Sequence, residues 1–344
     1  MQTYNLHTIQ SKETVTSIAK LYDMKKEDLI FFHNNHCLAK DTILIEITTQ
    51  KELYIPRTAV VEKQKLVNFK NYSLIFNPTD FQQNYGVRIE IEKENTVQEL
   101  KYETSVKWIK TEDDLHYFEI DRLTTIFLNE EEVNNIADLL AYKTSKVLYP
   151  LYVSVDKTGR LEQVENIPIY HSRWEKIKED VYKEFEGEVV DNYLNQIENI
   201  LSTETELLSY LIKNDFFIRT LFFGIYQNFG SKYHIKGNST FPIIKNSNEP
   251  NYSISLEIDP IIDEYDMIWI DGNGKLKEER TIDDFINQSP ISENDDVIND
   301  NGSIRLRYYL NNQTKWIESA FLECSILTNN LKKVSISISK LENH

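Results

Sequence analysis

The sequence predicts an α+β protein made of a small N-terminal βααβ domain and a larger body of antiparallel sheet and helices. Two observations predict the body. Apolar and polar residues alternate at period two on both sides of the region 172–229, and within that region the apolar spacing becomes helical. The first 57 residues show a separate pattern of strand, two short helices and strand. The predicted domains are therefore 1–57, a linker over 58–70, and a body over 71–344.

The N-terminal elements follow from the spacing of apolar residues. A β-prone piece covers Tyr4 to Ile9, and a helix follows with one face formed by Val15, Ile18, Ala19 and Tyr22. A second short helix begins after Asp23, and a β-prone run then ends at Pro56, which has no N–H for a sheet ladder. The residues expected inside this domain are Ile9, Val15, Ile18, Leu29, Phe32, Leu53 and Ile55.

This arrangement resembles the LysM family over about one sixth of the chain. The positions that fall on the family pattern are Ile9, Glu13, Thr14, Val15, Ile18, Ala19, Tyr22, Leu29, Asn34, Leu53, Ile55 and Pro56. LysM modules generally bind glycans that contain N-acetylglucosamine, such as peptidoglycan or chitin, in a shallow groove between two loops. The resemblance implies a first lip formed by Ser11, Lys12, Glu13, Thr14 and Val15. It implies a second lip within His33 to Thr42, with His33 and Asn34 as the named contacts.

The chain departs from the family pattern at the groove. Lys12 stands where the family usually has Gly, and His7 replaces the usual aromatic residue. The second lip is several residues longer than usual. Its extra residues predict either an additional strand or a segment that fills the groove, and they include Ile43, Leu44, Ile45 and Ile47.

The body begins with β-prone segments. Period-two alternation runs through Val87 to Ile91, Leu100 to Trp108 and Phe118 to Ile120. Asn129 before three glutamates predicts a helix start, with Val133, Ile136, Ala137 and Leu140 as its apolar stripe. The segments Leu151 to Val155 and Arg160 to Val164 flank Asp156-Lys157-Thr158-Gly159, which predicts a hairpin.

Helical spacing then runs from Ser172 to Phe229. The stretch Phe216 to Phe229 is apolar on nearly every side, which predicts a buried helix, with a membrane-active helix as the alternative. Alternation returns over 241–341, where Ser289 to Gly302 reads as an acidic loop. The two groups of strands could join into one curved sheet over the helices.

Composition excludes several classes of protein. The 38 basic and 55 acidic residues give a net charge of −17, which argues against nucleic acid or an anionic membrane as the main partner. No run of 18 apolar residues predicts a membrane span, and the N-terminus has no secretory signal pattern. Synthesis in the cytoplasm is therefore expected, and export by a route without such a signal stays open. Two cysteines exclude a disulfide framework.

No catalytic, cofactor or metal motif is apparent. Cys324 lies in a strand-like segment and is expected to be a buried structural residue. His33, His36 and Cys37 are close in sequence but lack an identifiable fourth ligand. Asp271, Asn273 and Gly274 read as a turn rather than a calcium loop. Two acidic pairs are expected to be solvated charges, Asp283-Asp284 and Asp295-Asp296.

The leading hypothesis is a non-catalytic binding protein for cell-wall glycan, most simply peptidoglycan. The alternative is a structural or adaptor protein of a bacterial contractile injection machine. LysM-like domains act in such tails as docking pieces, so the partners would be tail or baseplate proteins. An enzyme such as a wall hydrolase ranks third, because no pair of acidic residues stands out as catalytic.

Overall fold

The computed structural model describes residues 4–57, 66–67, 69, 71–94, 96–132, 134–243, 248–278, 280–281, 301–328 and 330–342. The chain divides into two compact units, 1–66 and 67–344, at a point inside the predicted linker. Several predictions lie outside the described residues: most of the linker, Val133, both acidic pairs and nearly all of the acidic loop.

The N-terminal unit has the element order that its spacing predicts. Strand β1 (Tyr4–Thr8) precedes helices α1 (Val15–Leu21) and α2 (Lys26–Asn34), and strand β2 (Glu52–Pro56) pairs antiparallel with β1. A 3-10 turn (Ala39–Asp41) lies between α2 and β2. The buried core consists of Val15, Ile18, Ala19, Leu29, Ile43, Leu53 and Ile55. Of the residues expected inside, Ile9 and Phe32 are only partly buried.

The second unit contains one 13-stranded antiparallel sheet among its described residues. Its strands are β3 (Gln82–Lys93), β4 (Thr96–Glu112), β5 (Leu115–Arg122), β6 (Phe127–Leu128), β7 (Glu131–Glu132), β8 (Leu151–Val155), β9 (Leu161–Val164), β10 (His234–Thr240), β11 (Asn251–Ile258), β12 (Met267–Leu276), β13 (Gly302–Asn311), β14 (Ile317–Leu327) and β15 (Leu331–Lys340). The order along the main path is β10-β11-β12-β13-β14-β15-β3-β4-β5-β8-β9.

The two groups of strands join where β15 pairs with β3, with Ile336 opposite Ile89. This junction confirms that both groups belong to one sheet. Alternation sets the core face, because side chains of a strand point to opposite faces in turn. In β13, for example, every second residue from Ile304 to Leu310 is buried. The predicted hairpin at Asp156 to Gly159 is also present, between β8 and β9.

Five α-helices lie in the described part of this unit: α3 (Ile136–Ser145), α4 (Ile167–Tyr182), α5 (Glu188–Leu201), α6 (Glu204–Asn214) and α7 (Phe216–Leu221). Helix α7 packs against β14 and β15, and α6 packs against β9. None of the helices in the described ranges is long and apolar enough to cross a membrane.

The predicted helix over Phe216 to Phe229 is wrong beyond Leu221. The whole stretch is largely buried as expected, but the chain leaves the helix and passes Gly224 at a φ of +92°. A Cβ at this position would lie 2.5 Å from the Arg160 side chain, so only glycine fits. Burial on every side therefore comes from an irregular segment inside the core rather than from a continuous helix.

Two further predictions are corrected. Asn129 does not start a helix, because Asn129 and Glu130 both have positive φ and form the turn between β6 and β7. Helix α3 begins later, where Asn135 caps it by accepting a hydrogen bond from the Asp138 N–H. Asp271, Asn273 and Gly274 are not a turn but part of strand β12.

Candidate functional site

The first lip of the predicted groove is the loop between β1 and α1. Ser11 and Lys12 are exposed, and Lys12 has a φ of +78°. This is the left-handed conformation that glycine adopts most easily, so the backbone keeps a glycine-type turn with a lysine in it. Thr14 caps α1: its side chain accepts from the Ser17 N–H at 3.1 Å, and the Ser17 hydroxyl accepts from the Thr14 N–H at 2.8 Å.

Glu13 is held inside the first lip. Its Oε2 accepts from the Gln10 N–H at 2.7 Å and lies 2.9 Å from Nε2 of His7. The other ring nitrogen of His7 lies 3.0 Å from the Tyr22 hydroxyl. Burial raises the pKa of Tyr22, and the nearby charge of Glu13 raises this pKa further. The carboxylate thus connects the loop to β1 and to the end of α1.

Val15 is fully buried, so its side chain cannot form part of a surface lip. The site prediction for this position is corrected to a core residue. Its backbone N–H, at the start of α1, donates to Oε2 of Glu46 at 3.3 Å. The other oxygen of Glu46 accepts from the Lys26 ammonium on α2. A residue of the second lip therefore reaches across to the beginning of the first helix.

His33 and Asn34 fix the second lip through hydrogen bonds to its backbone. His33 is 1% exposed, and its Nδ1 accepts from the Tyr54 N–H at 3.1 Å. The proton is therefore on Nε2, which donates to the Asp41 carbonyl at 3.0 Å. Asn34 bonds both backbone groups of Ile43: it donates to the carbonyl and accepts from the N–H, each at 2.8 Å. The predicted contact role of His33 is corrected, because its ring is not at the surface.

The long second lip exposes apolar side chains. Residues 42–50 form no strand, so that alternative is wrong, and Ile43 enters the core instead. The neighbouring Leu44 is 89% exposed and Ile45 is 73% exposed, while Leu38 and Phe31 are 66% and 71% exposed. We refer to Phe31, Leu38, Leu44 and Ile45 as the second-lip apolar residues. Residues 1–57 carry seven basic and seven acidic side chains, so the whole excess of −17 lies in the rest of the chain.

Sequence reasoning missed the role of Glu46. The available signal was an acidic residue between Ile45 and Ile47 in an otherwise apolar run, and it did not reveal the bond to Val15. No group of three or more His, Cys, Asp or Glu side chains in the described residues could hold a metal ion. Cys324 is buried in β14 as expected, and burial raises the pKa of its thiol to about 12. The reactive thiolate is therefore suppressed at neutral pH.

Comparison with known proteins does not assign a family. No family model matches the chain, and no similar curated protein is found. Among solved structures, one similar chain comes from a structure described as lipid–protein interactions in lipovitellin. The identity is 9%, the TM-score is 0.39, and the alignment covers 78% of this chain. It covers 25% of the lipovitellin chain, so the present chain spans about a quarter of that length. This similarity does not establish a shared fold or function.

Proposed function

We propose that this is a non-catalytic docking protein whose N-terminal unit binds another protein through the second-lip apolar residues. The observation that carries the proposal is the exposure of Leu44 and Ile45 on a loop that is tied down on both sides of them. Asn34 fixes Ile43 on one side, and Val15 and Lys26 fix Glu46 on the other. Apolar side chains held in a fixed loop lose little conformational entropy on binding, which favours a protein interface.

The charge distribution supports the same proposal. Interface cores contain few charged residues and many apolar ones. The strongly acidic body disfavours close approach of other acidic proteins, whereas residues 1–57 are balanced in charge. The N-terminal unit is therefore the part of the chain best suited to association. The N-terminal unit resembles LysM modules, and LysM-like domains act as docking pieces in contractile tails. We therefore propose a tail or baseplate protein as the partner.

A photocrosslinking residue at position 44 or 45 of the full chain tests the proposal in the cells that make the protein. The expected result is a discrete adduct with one tail or baseplate protein, and no adduct from position 189 on α5, where Val189 is equally exposed. The purified partner should then bind the native chain and bind the Leu44→Glu/Ile45→Glu variant at least tenfold more weakly. The control Val189→Glu should bind normally.

Two results would contradict this proposal. One is the absence of any adduct from positions 31, 38, 44 and 45 in cells where the protein is folded. The other is an adduct at twice the mass of the chain, which would assign the surface to self-association.

Glycan binding is the second candidate, and the backbone of the first lip favours it. Ser11 and Lys12 are exposed, and Lys12 is in a left-handed turn, so this lip faces the solvent from which a sugar would bind. The bridge from Glu46 to Val15 crosses to this lip. Glu46→Ala removes this bridge, so it should increase retention on insoluble peptidoglycan if the groove binds glycan. If neither the native chain nor Glu46→Ala sediments with peptidoglycan, this candidate is removed.

A further inference from the structure

The second unit contains a cavity of about 450 Å³ between the sheet and the helices. Its walls come from β3, β4 and β6 on one side and from α3, α5 and α6 on the other. The wall side chains are mainly apolar, among them Ile91, Leu100, Leu128, Ile197 and Ile200. A cavity of this size is within the range of small-molecule sites in proteins.

Among the described residues, one cationic side chain lines this cavity, that of Arg122. Its guanidinium lies 4.3 Å from the ring centre of Tyr149 and 5.1 Å from that of Tyr102. Nη1 donates to the Ser145 hydroxyl at 3.1 Å, and Nη2 donates to the Tyr149 hydroxyl at 2.9 Å. The Nε atom is buried and has no hydrogen-bond partner among the described residues.

Arg122 also has no carboxylate at ion-pair distance in the described part of the chain. The carboxylic acid that acts on it electrostatically is Asp215, which is partly buried. The Asp215 carboxylate accepts a hydrogen bond from the Ile218 N–H at 2.9 Å as the cap of α7. Burial raises the pKa of Asp215, which weakens it as a counter-ion. A partly buried guanidinium with a buried and unused N–H is costly unless an anion completes it.

Asp138 is the acidic side chain among the cavity residues, and it is engaged at the start of α3. Its Oδ2 accepts a hydrogen bond from the side-chain amide of Asn135. The backbone N–H of Asp138 donates to the side-chain oxygen of Asn135 at 2.9 Å. The other polar side chains of the lining are the carboxamide of Gln98 and several hydroxyls. Two of these hydroxyls, on Thr144 and Tyr193, bond to each other at 3.1 Å. The cavity therefore offers an apolar body and a guanidinium with free donor capacity.

We propose that this cavity binds a small amphipathic carboxylate, with its aliphatic body against the apolar walls and its carboxylate on Arg122. A carboxylate matches the planar donor geometry of a guanidinium and supplies the missing negative charge. The aliphatic chain removes apolar wall surface from water. This site is in the second unit and is independent of the docking role proposed for the first.

Calorimetric titration of the full chain with decanoate and 1-decanol, both kept below the concentrations at which they aggregate, tests the proposal. The native chain should bind decanoate at least tenfold more tightly than 1-decanol, because a hydrogen bond to a charged group contributes that order of affinity. Arg122→Met should reduce the affinity for decanoate to that for 1-decanol. Arg122→Lys should reduce the affinity for decanoate by a smaller factor. Equal affinity for the two compounds, no binding of either, or unchanged binding by Arg122→Met would overturn it.

A second variant covers the case in which Arg122→Met does not fold. Ala141 lines the cavity from α3 and is exposed, so Ala141→Trp should obstruct the cavity without touching the guanidinium. It should abolish decanoate binding while the melting temperature stays close to that of the native chain. Val189→Trp, on an exposed position outside the cavity, serves as the matched control and should bind normally. Normal binding by Ala141→Trp would also overturn the proposal.

Discussion

Asn34 should control the order of the second lip, and this can be measured at a single amide. The side chain of Asn34 makes two hydrogen bonds of 2.8 Å to the backbone of Ile43, whose own side chain is buried. Each such bond contributes about 1 kcal/mol net, so Asn34→Ala should lose about 2 kcal/mol at this loop. Since 1.4 kcal/mol corresponds to about a tenfold change, local opening at the Ile43 amide should increase roughly 30-fold.

Hydrogen exchange followed by NMR at the Ile43 amide measures this opening directly. Asn35→Ala is the matched control, because Asn35 is exposed and its side chain makes no hydrogen bond in the described residues. If Asn34→Ala and Asn35→Ala give the same exchange rate at Ile43, the loop is held by other contacts and the argument for a fixed second lip is wrong.

Three other outcomes are expected. Lys12→Gly should raise the free energy of unfolding of the N-terminal unit by roughly 0.5–1 kcal/mol in urea titrations, because glycine adopts the φ of +78° without strain; a decrease would contradict this. Gly159→Ala should lower the stability of the second unit by ~1–3 kcal/mol, since φ is +81° and a Cβ would lie 2.7 Å from the Tyr226 ring. Gly237→Ala, where a Cβ meets nothing within 4 Å, is its control in the same denaturation assay. Because burial raises the pKa of Cys324 to about 12, a Cys37→Ser variant should show no reactive thiol toward a disulfide reagent at pH 8 until it is unfolded; fast labelling of the folded variant would count against this.

The sheet could be predicted well where alternate residues of a strand are buried. Alternation such as that from Ile304 to Leu310 has one physical cause, a strand with one face in the core, and the structure places those residues there. Helical spacing was less informative around Phe216 to Phe229. Apolar residues on every side report burial, whereas the chain beyond the helix forms an antiparallel bridge between Phe223 and Arg160. Such a contact between distant segments leaves no periodic signal.

Local capping signals were ambiguous for a similar reason. Asn is favoured both before a helix and at positive φ in a tight turn. Asn129 takes the second role, because its neighbour Glu130 also has positive φ and the pair closes the short β6–β7 hairpin. Asn135, six residues later, takes the first role. The sequence offers two candidates for one cap, and strand pairing elsewhere in the sheet decides between them.

The candidate site shows how far a family pattern can support a function. Positions that match the pattern mostly have internal tasks: Thr14 caps a helix, Glu13 holds a loop, and Asn34 fixes the second lip. These side chains would be required in any chain with this backbone, whatever it binds. The most exposed apolar residues are Leu44 and Ile45, in the extra length of the second lip that the pattern does not specify. Because ligands contact the exposed residues, the departures from the pattern carry more information about the partner than the matches do, and they favour an apolar protein surface over a sugar.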